Sequence, residues 1–411
     1  MERLIFHIDV NSAFLSWEAT DRVSNGGADL RLVPACISGN PKSRTSVVLA
    51  KSIPAKKYGI KTGEPIGAAL KKCPDLIIAR PNFLLYQKYS AAFIEICRRY
   101  TPIVEKYSID ECFLDMTGTS LLYPDFIKVA YEIKDTIKSE LGFTVNIGIG
   151  PNKLLAKTAG DFEKPDKVHT LFWEELAEKF WPLPIGEMFG VGRSTAEKLS
   201  RNGIESIGKL SKISLKTLKT ILGDKMGEQL YRSARGIDDT PVLEKPPAAK
   251  GYSISTTVEK NITDKETALS LLLSLVDAVS ARMRAEDNRA WCIAVSIRTS
   301  EFKNSSHQRK LFSPTDVTSE IYDISKALLS ELWNGKTPLR LMGVALTDLT
   351  KDTSEQISLF GEASGGKKRD IDKAVDKIRK KYGSESISRA GAFKENDRIG
   401  RKYKAEMETE E

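Results

Sequence analysis

Hydrophobic positions in this 411-residue chain fall into short blocks whose spacing changes from stretch to stretch. Residues 3–10 (RLIFHIDV) form an apolar run that ends on an acid, the pattern of a central strand delivering Asp9 at its C-terminal edge. A helix is expected over 12–23. From 26 to 81, turn signals at Gly39-Asn40-Pro41, Gly59 and Gly63 cut the chain into short strands and helices among basic residues, as in a small insertion. Residues 84–100 read as a helix, and 104–116 as two strands joined by a tight turn at 108–111. Pro124-Asp125 starts a helix to 141 whose apolar face is Phe126, Val129, Ile133 and Ile137. A strand at 143–148 and a helix at 152–161 complete the order strand, helix, hairpin, helix, strand, which is an α+β layer pattern.

From 182 to 236 the signals are short and helical. Lys245-Pro246-Pro247 reads as a linker. Beyond it come a strand (251–258), a long helix (264–285), two strands (291–300 and 307–312), a helix (317–332) and a strand (340–347), a βαββαβ order that defines a separate domain. After Leu349 the chain turns polar and passes Gly365-Gly366. It ends in a charged helix (370–382), with Ile371, Val375 and Ile378 on one face, and an acidic tip; this stretch is expected to be mobile at its ends.

The length calls for two to four domains, because single cores stop growing near roughly 250 residues. Hydrophobic residues at 41% and charged residues at 29% argue against both global disorder and a membrane protein. The longest apolar stretch, 269–276, is too short for a bilayer span and is closed by Asp277. Glu2, Arg3, His7 and Asp9 interrupt the only early apolar run, so no signal peptide is expected and a cytoplasmic location follows. Five scattered cysteines, none in a C-x-x-C pair, indicate neither a disulfide framework nor a zinc knuckle. A net charge of +8 favours a polyanionic partner.

Three acids stand where their neighbours are apolar: Asp9, and Asp110-Glu111 between Val104-Glu105-Lys106-Tyr107 and Cys112-Phe113-Leu114. A buried acid costs several kcal/mol unless a cation or hydrogen bonds compensate it. Taken singly, these acids read as turn and helix caps. Taken together, they suit two Mg²⁺ ions, which prefer carboxylate oxygen and stabilise attacking and leaving oxygens in phosphoryl transfer.

The segments 7–14 (HIDVNSAF) with Trp17-Glu18, 107–115 (YSIDECFLD) and 148–157 (GIGPNKLLAK) resemble, in order and spacing, the palm motifs of Y-family DNA polymerases of the DinB/UmuC type. The resemblance covers roughly residues 1–350. It implies an α+β multidomain right hand: a ferredoxin-like palm (1–18 and 82–171), small fingers (19–81), a helical thumb with a helix-hairpin-helix (172–241), a βαββαβ little finger (248–350) and a flexible C-terminal tail (351–411). It further implies a low-fidelity translesion polymerase that adds dNTPs to the primer 3′ end of template DNA in DNA repair and damage tolerance. Asp9, Asp110 and Glu111 match the metal-binding catalytic acids, with the Val10 carbonyl as a further ligand. Phe14 matches a steric gate against the ribose 2′-hydroxyl, and Lys164 a contact to the triphosphate. Ala50, Ile53 and Lys56 stand where many members have Thr, Tyr and Arg; Lys56 keeps the charge of that nucleotide clamp but not its fork. Asn11 replaces a common second Asp of the first motif.

Residues 189–199, with Gly190, Gly192 and Arg193, have the form of a helix-hairpin-helix whose backbone N–H groups would hold a DNA phosphate. Gln356-Ile357-Ser358-Leu359-Phe360 is similar to the peptide with which bacterial polymerases bind the sliding clamp. A monomer is expected. Two other classes stay open on the residues: a nucleotide cyclase, which shares such acids but needs neither gate nor hairpin, and a DNA-binding scaffold with a degenerate site.

Overall fold

Asp9 sits on a strand that is buried along nearly its whole length. In the computed structural model, which describes residues 3–352, 365–384 and 386–392, the first unit runs β1 (Ile5–Val10), α1 (Ala13–Ser24), β2 (Ala35–Ser38), β3 (Val48–Lys51), α2 (Ile53–Lys57), α3 (Ile66–Lys72), β4 (Ile77–Ala79), α4 (Phe83–Arg98), β5 (Val104–Lys106), β6 (Glu111–Asp115), α5 (Phe126–Leu141), β7 (Val145–Gly150), α6 (Lys153–Gly160) and β8 (Val168–Thr170). Short helices follow: α7 (Arg193–Arg201), α8 (Ile207–Ser211), α9 (Leu215–Leu222) and α10 (Asp224–Ser233). The unit ends at Pro246, and residues 43–45 group with the second unit.

A five-stranded sheet in the order β5-β6-β1-β7-β8 places β1 at its centre, antiparallel to both neighbours. Alternation sends Phe6, Ile8 and Val10 into a core with Trp17, Tyr86, Phe93, Ile133 and Phe143. On the other side Ile5 packs with Phe113 and Ala156. Helix α5 begins where the Asp125 side chain accepts the Lys128 N–H at 2.9 Å and stops at Gly142, whose φ of 75° is left-handed. Helix α6 lies against β7 at glycine: a Cβ on Gly148 would sit 2.0 Å from the Ala156 carbonyl oxygen and 2.2 Å from the Gly160 nitrogen. A smaller sheet, β3-β2-β4, has its own core of Cys36, Val48, Ala55, Ile60 and Ile66. The helical stretch after β8 is centred on Phe180, Leu199, Leu210, Leu218 and Leu230.

The second unit runs β9 (Gly251–Ile262), α11 (Lys265–Ala285), β10 (Arg289–Thr299), β11 (Asn304–Thr315), α12 (Thr318–Leu332), β12 (Leu339–Thr350) and α13 (Gly365–Tyr382). The order is βαββαβ, and the antiparallel sheet is arranged β11-β10-β12-β9. Strand β11 is twice as long as its apolar pattern suggests. Most of it is exposed and polar, so backbone pairing with β10 extends it where no alternation marks it.

Helix α13 starts at Gly365 rather than 370, and it docks on its own unit through its charged stripe rather than its apolar one. Arg379 Nη2 donates to Asp277 Oδ2 at 2.7 Å, and Arg389 Nε to Asp277 Oδ1 at 2.9 Å. Arg284 Nε donates to Asp376 Oδ2 at 2.7 Å, and Asp372 Oδ2 accepts the Thr318 N–H at 2.8 Å. Asp372 and Arg379 are buried, whereas Ile371 remains 59% exposed. The clamp-like peptide 356–360 lies outside the described residues.

Burial pushes the Asp277 carboxyl up, but the charges and hydrogen bonds of Arg379 and Arg389 outweigh it and hold it below the usual aspartate range. A carboxyl lowered in the fold stabilises above its ordinary value of about 4 and loses that contribution as pH falls through the lowered one. Asp277→Asn leaves Arg379 without its buried carboxylate, a change that costs about 3 kcal/mol. Amide protection over 366–382 should collapse first in hydrogen exchange; unaltered protection there would show that the ion pairs do not hold the helix.

Candidate active site

Strand pairing sets Asp9 directly opposite Glu111 in the β1–β6 register. The Val10 N–H continues the ladder to the Asp110 carbonyl at 3.0 Å. The hairpin before β6 closes on itself, with the N–H groups of Tyr107 and Ser108 both donating to the Glu111 carbonyl, at 3.0 and 3.1 Å. Within that turn Ser108 Oγ donates to Asp110 Oδ1 at 2.6 Å. Cys112, one residue on, points to the opposite face, where its Sγ lies 3.8 Å from that of Cys97, so sulfur is kept out of the acid cluster.

Helix α6 presents two lysines one turn apart to this edge. Lys153 Nζ donates to both carboxylate oxygens of Glu105 at 2.7 Å, and Lys157 Nζ donates to Glu111 Oε2. His7 Nε2 reaches the same Glu111 oxygen at 3.0 Å. Burial lowers the His7 pKa and so favours a neutral ring. The same Nε2 lies 3.4 Å from Lys157 Nζ, and Nδ1 is left buried without a partner. Lys164 Nζ donates to Asp9 Oδ2 and pairs with Asp161 Oδ1 at 2.9 Å.

Burial pushes the Glu111 carboxyl up, yet the bonds from His7 and Lys157 and the charge of Lys157 prevail and hold it at about 2. For Asp9, burial wins over Lys164 and its carboxyl lies above the usual value. Burial lowers the Lys164 ammonium, but Asp9 and Asp161 raise it above its ordinary value. All three side chains of the trio offer hard carboxylate oxygen, the donor type that divalent cations such as Mg²⁺ prefer. Among the described residues no group of three or more His, Cys, Asp or Glu side chains converges as a finished cage. A lysine ammonium instead stands on Asp9 and another on Glu111.

Phe14, in the first turn of α1, stacks on Tyr86 with centroids 4.7 Å apart and meets Phe83 edge-on at 6.1 Å. Asn11 is explained by its bonds. Its Nδ2 donates to Asn146 Oδ1 at 3.0 Å, while its Oδ1 accepts from Thr144 Oγ1 and from the Asp166 N–H, both at 3.0 Å. Aspartate could not make that donation. Asn146 in turn donates to the carbonyls of Gly160 and Glu163 at 3.2 and 2.6 Å, so the two amides brace the loop that carries Lys164.

Lys56 lies exposed on α2, with Ala50 buried on β3 and Ile53 exposed beside it. Gly190 adopts a φ of 87°, and Gly192 precedes α7 in extended form with no side chain capping the helix. The Arg193 side chain is 93% exposed and pairs with Glu197 at 2.9 Å. Neither Lys56 nor this hairpin is joined to the acids by a described contact. Phe189 does reach them indirectly, lying under Lys157 Nζ at 5.5 Å from its ring centroid and 6.4 Å from the Tyr107 ring. His7, Lys157 and Asn146 received no role from sequence. The usable signal was the lysine pair 153/157 following Gly148 and Gly150, since a helix drawn flush onto a glycine strand carries its lysines to the strand edge.

Comparison with known proteins adds an independent line. Residues 8–161 match the impB/mucB/samB family, 249–359 its C-terminal domain, and 186–238 the thumb domain of DNA polymerase iota. The chain is 44% identical to a DNA polymerase IV of Clostridium acetobutylicum, over 95% of this chain and 98% of the relative. It is 35% identical to DNA polymerase IV 1 of Bacillus subtilis, over 96% and 94% respectively. A Y-family DNA polymerase chimera of known structure shares the fold with a TM-score of 0.73 at 22% identity, covering 85% of this chain and all of the other. The chain therefore belongs to the Y-family DNA polymerases of the impB/mucB/samB type. It is a DNA-directed DNA polymerase, of the class that works in translesion synthesis.

Proposed function

We propose that primer extension proceeds at the edge formed by Asp9, Asp110 and Glu111, by two-metal phosphoryl transfer with Mg²⁺, and that it serves DNA repair and damage tolerance. The single observation carrying this reading is that Asp9 and Glu111 face each other in register, each held by a lysine ammonium that a divalent cation could replace. Two Mg²⁺ ions there, with the Val10 carbonyl as a further ligand, would activate the primer 3′-hydroxyl and neutralise the leaving pyrophosphate. Asp9 and Glu111 supply carboxylate oxygens fixed by the β1–β6 ladder. Lys164 exchanges Asp9 for the incoming triphosphate, and Lys56 adds charge from the fingers. The backbone N–H groups after Gly190 and Gly192, with Arg193, grip a template or primer phosphate. The palm is taken as residues 1–18 and 82–171, the fingers as 19–81, the thumb as 172–241 and the little finger as 248–350. The protein works as a cytoplasmic monomer, and no helix among the described residues is long and apolar enough to cross a membrane. Single-nucleotide incorporation on a primed template tests the reading: a parent protein that leaves the primer unextended with Mg²⁺ and dNTP sinks it.

Phe14 selects the sugar in this reading. Its ring is held flat on Tyr86, so it cannot swing aside for a 2′-hydroxyl without losing the stack. Phe14→Ala should admit ribonucleotides about 100-fold more readily, close to 3 kcal/mol of discrimination. The ratio of kcat/KM for dNTP over rNTP reads this directly, and an unchanged ratio removes the gate from Phe14. Residues 356–360 dock on the sliding clamp; a peptide of that span with no measurable binding to purified clamp would exclude this.

A further inference from the structure

Helix α13 has three distinct flanks. At 100° per residue, Asp372, Asp376 and Arg379 fall on the docked side, Ile371, Val375 and Ile378 on a second, and Lys373, Lys377 and Lys380 on a third. The three lysines are exposed. Basic residues are sorted by type: the arginines of this segment turn inward onto carboxylates, as Arg379 and Arg389 do on Asp277 and Arg369 Nε does on Asp316 at 2.8 Å, while the lysines stay outside. Forked guanidinium groups suit fixed carboxylate geometry, and ammonium groups suit a diffuse anionic surface. The inward acids Asp372 and Asp376 are paired with arginine, and along nearly two helical turns of the outer flank the three lysines face one acid, the exposed Asp370.

We infer that this lysine flank is an auxiliary surface for duplex DNA, contacting backbone phosphates without reading sequence. Charge complementarity selects the occupant: DNA is the substrate of this enzyme class, and a row of lysines one helical turn apart meets a polyanion more readily than an apolar groove or a mixed-charge protein face. The helix is fixed to its unit by the buried ion pairs, so the lysines are held on a rigid element rather than on a free end.

The test is equilibrium binding of a fluorescent primer–template duplex to the full chain across a salt series. Lys373→Gln with Lys377→Gln should weaken binding about tenfold at 0.1 M salt and flatten the slope of log K against log salt by about 1.8, since each lost phosphate contact contributes about 0.9. Lys373→Arg with Lys377→Arg should keep the parent slope. Extension at saturating DNA should be unchanged in both. Lys88 and Lys128, exposed on α4 and α5, supply the charge control. A slope unchanged in the glutamine variant, or flattened equally by Lys88→Gln with Lys128→Gln, overturns the inference. So does lysine-dependent capture of anionic lipid vesicles with no effect on duplex, which would make the face a membrane surface.

Discussion

Asp110→Asn combined with Glu111→Gln will leave a chain that binds DNA but no longer extends a primer. The two substitutions keep the shape of the hairpin, because Tyr107 and Ser108 close it through the Glu111 backbone carbonyl, which is untouched. They remove two of the three negative charges at the edge of the sheet. Stabilisation of transition-state charge there is worth several kcal/mol, and each 1.36 kcal/mol is a factor of ten, so the rate of incorporation should fall by about 10³-fold or more. Single-turnover incorporation with duplex affinity measured in parallel separates chemistry from binding. A rate within tenfold of the parent would place the chemistry elsewhere.

Gly148→Ala should be nearly as damaging from a position that touches no substrate. The new methyl meets backbone at 2.0 and 2.2 Å, so relief requires α6 to lift from β7. Overpacking of this kind costs about 3 kcal/mol, which for a unit of this size lowers the melting temperature by about 6 to 12 °C. Lys153 and Lys157 ride on α6, and their contacts to Glu105 and Glu111 would shift with it. A displacement near 1 Å at a reacting site can cost about 100-fold in rate. Thermal melting and incorporation below the melting point check both parts. A melting temperature unchanged within a degree would mean the helix accommodates the methyl group.

The elements that carry the acids were legible because burial writes them plainly. Residues 3–10 could be read as a strand ending at Asp9, and the turn at 108–111 between two strands, since apolar runs bracket both. The βαββαβ order was legible for the same reason. What escaped shows little hydrophobic contrast. Strand β11 is held by backbone pairing along an exposed polar sequence, so its true length left no periodic trace. Helix α13 has an apolar stripe at Ile371 and Ile378 that ordinarily turns inward, yet Asp277 and Arg284, buried on α11, require partners more urgently than two isoleucines require cover. His7 and Lys157 lie within the motifs with nothing in the sequence to mark a role, because their shared target, Glu111 Oε2, depends on α6 crossing over β1 and not on any spacing along the chain. Asn11 looked like a departure from a familiar motif; its double use of the amide explains why the residue suits this particular loop.

The lysines on Asp9 and Glu111 also bear on how the protein comes into being. An acid pair facing across a strand ladder would repel and resist closing the sheet unless some cation were present as the chain folds. Here the cations are encoded: Lys157 arrives with α6 and Lys164 with the loop behind it. A newly made chain can thus close its central sheet with positive charge supplied by its own sequence.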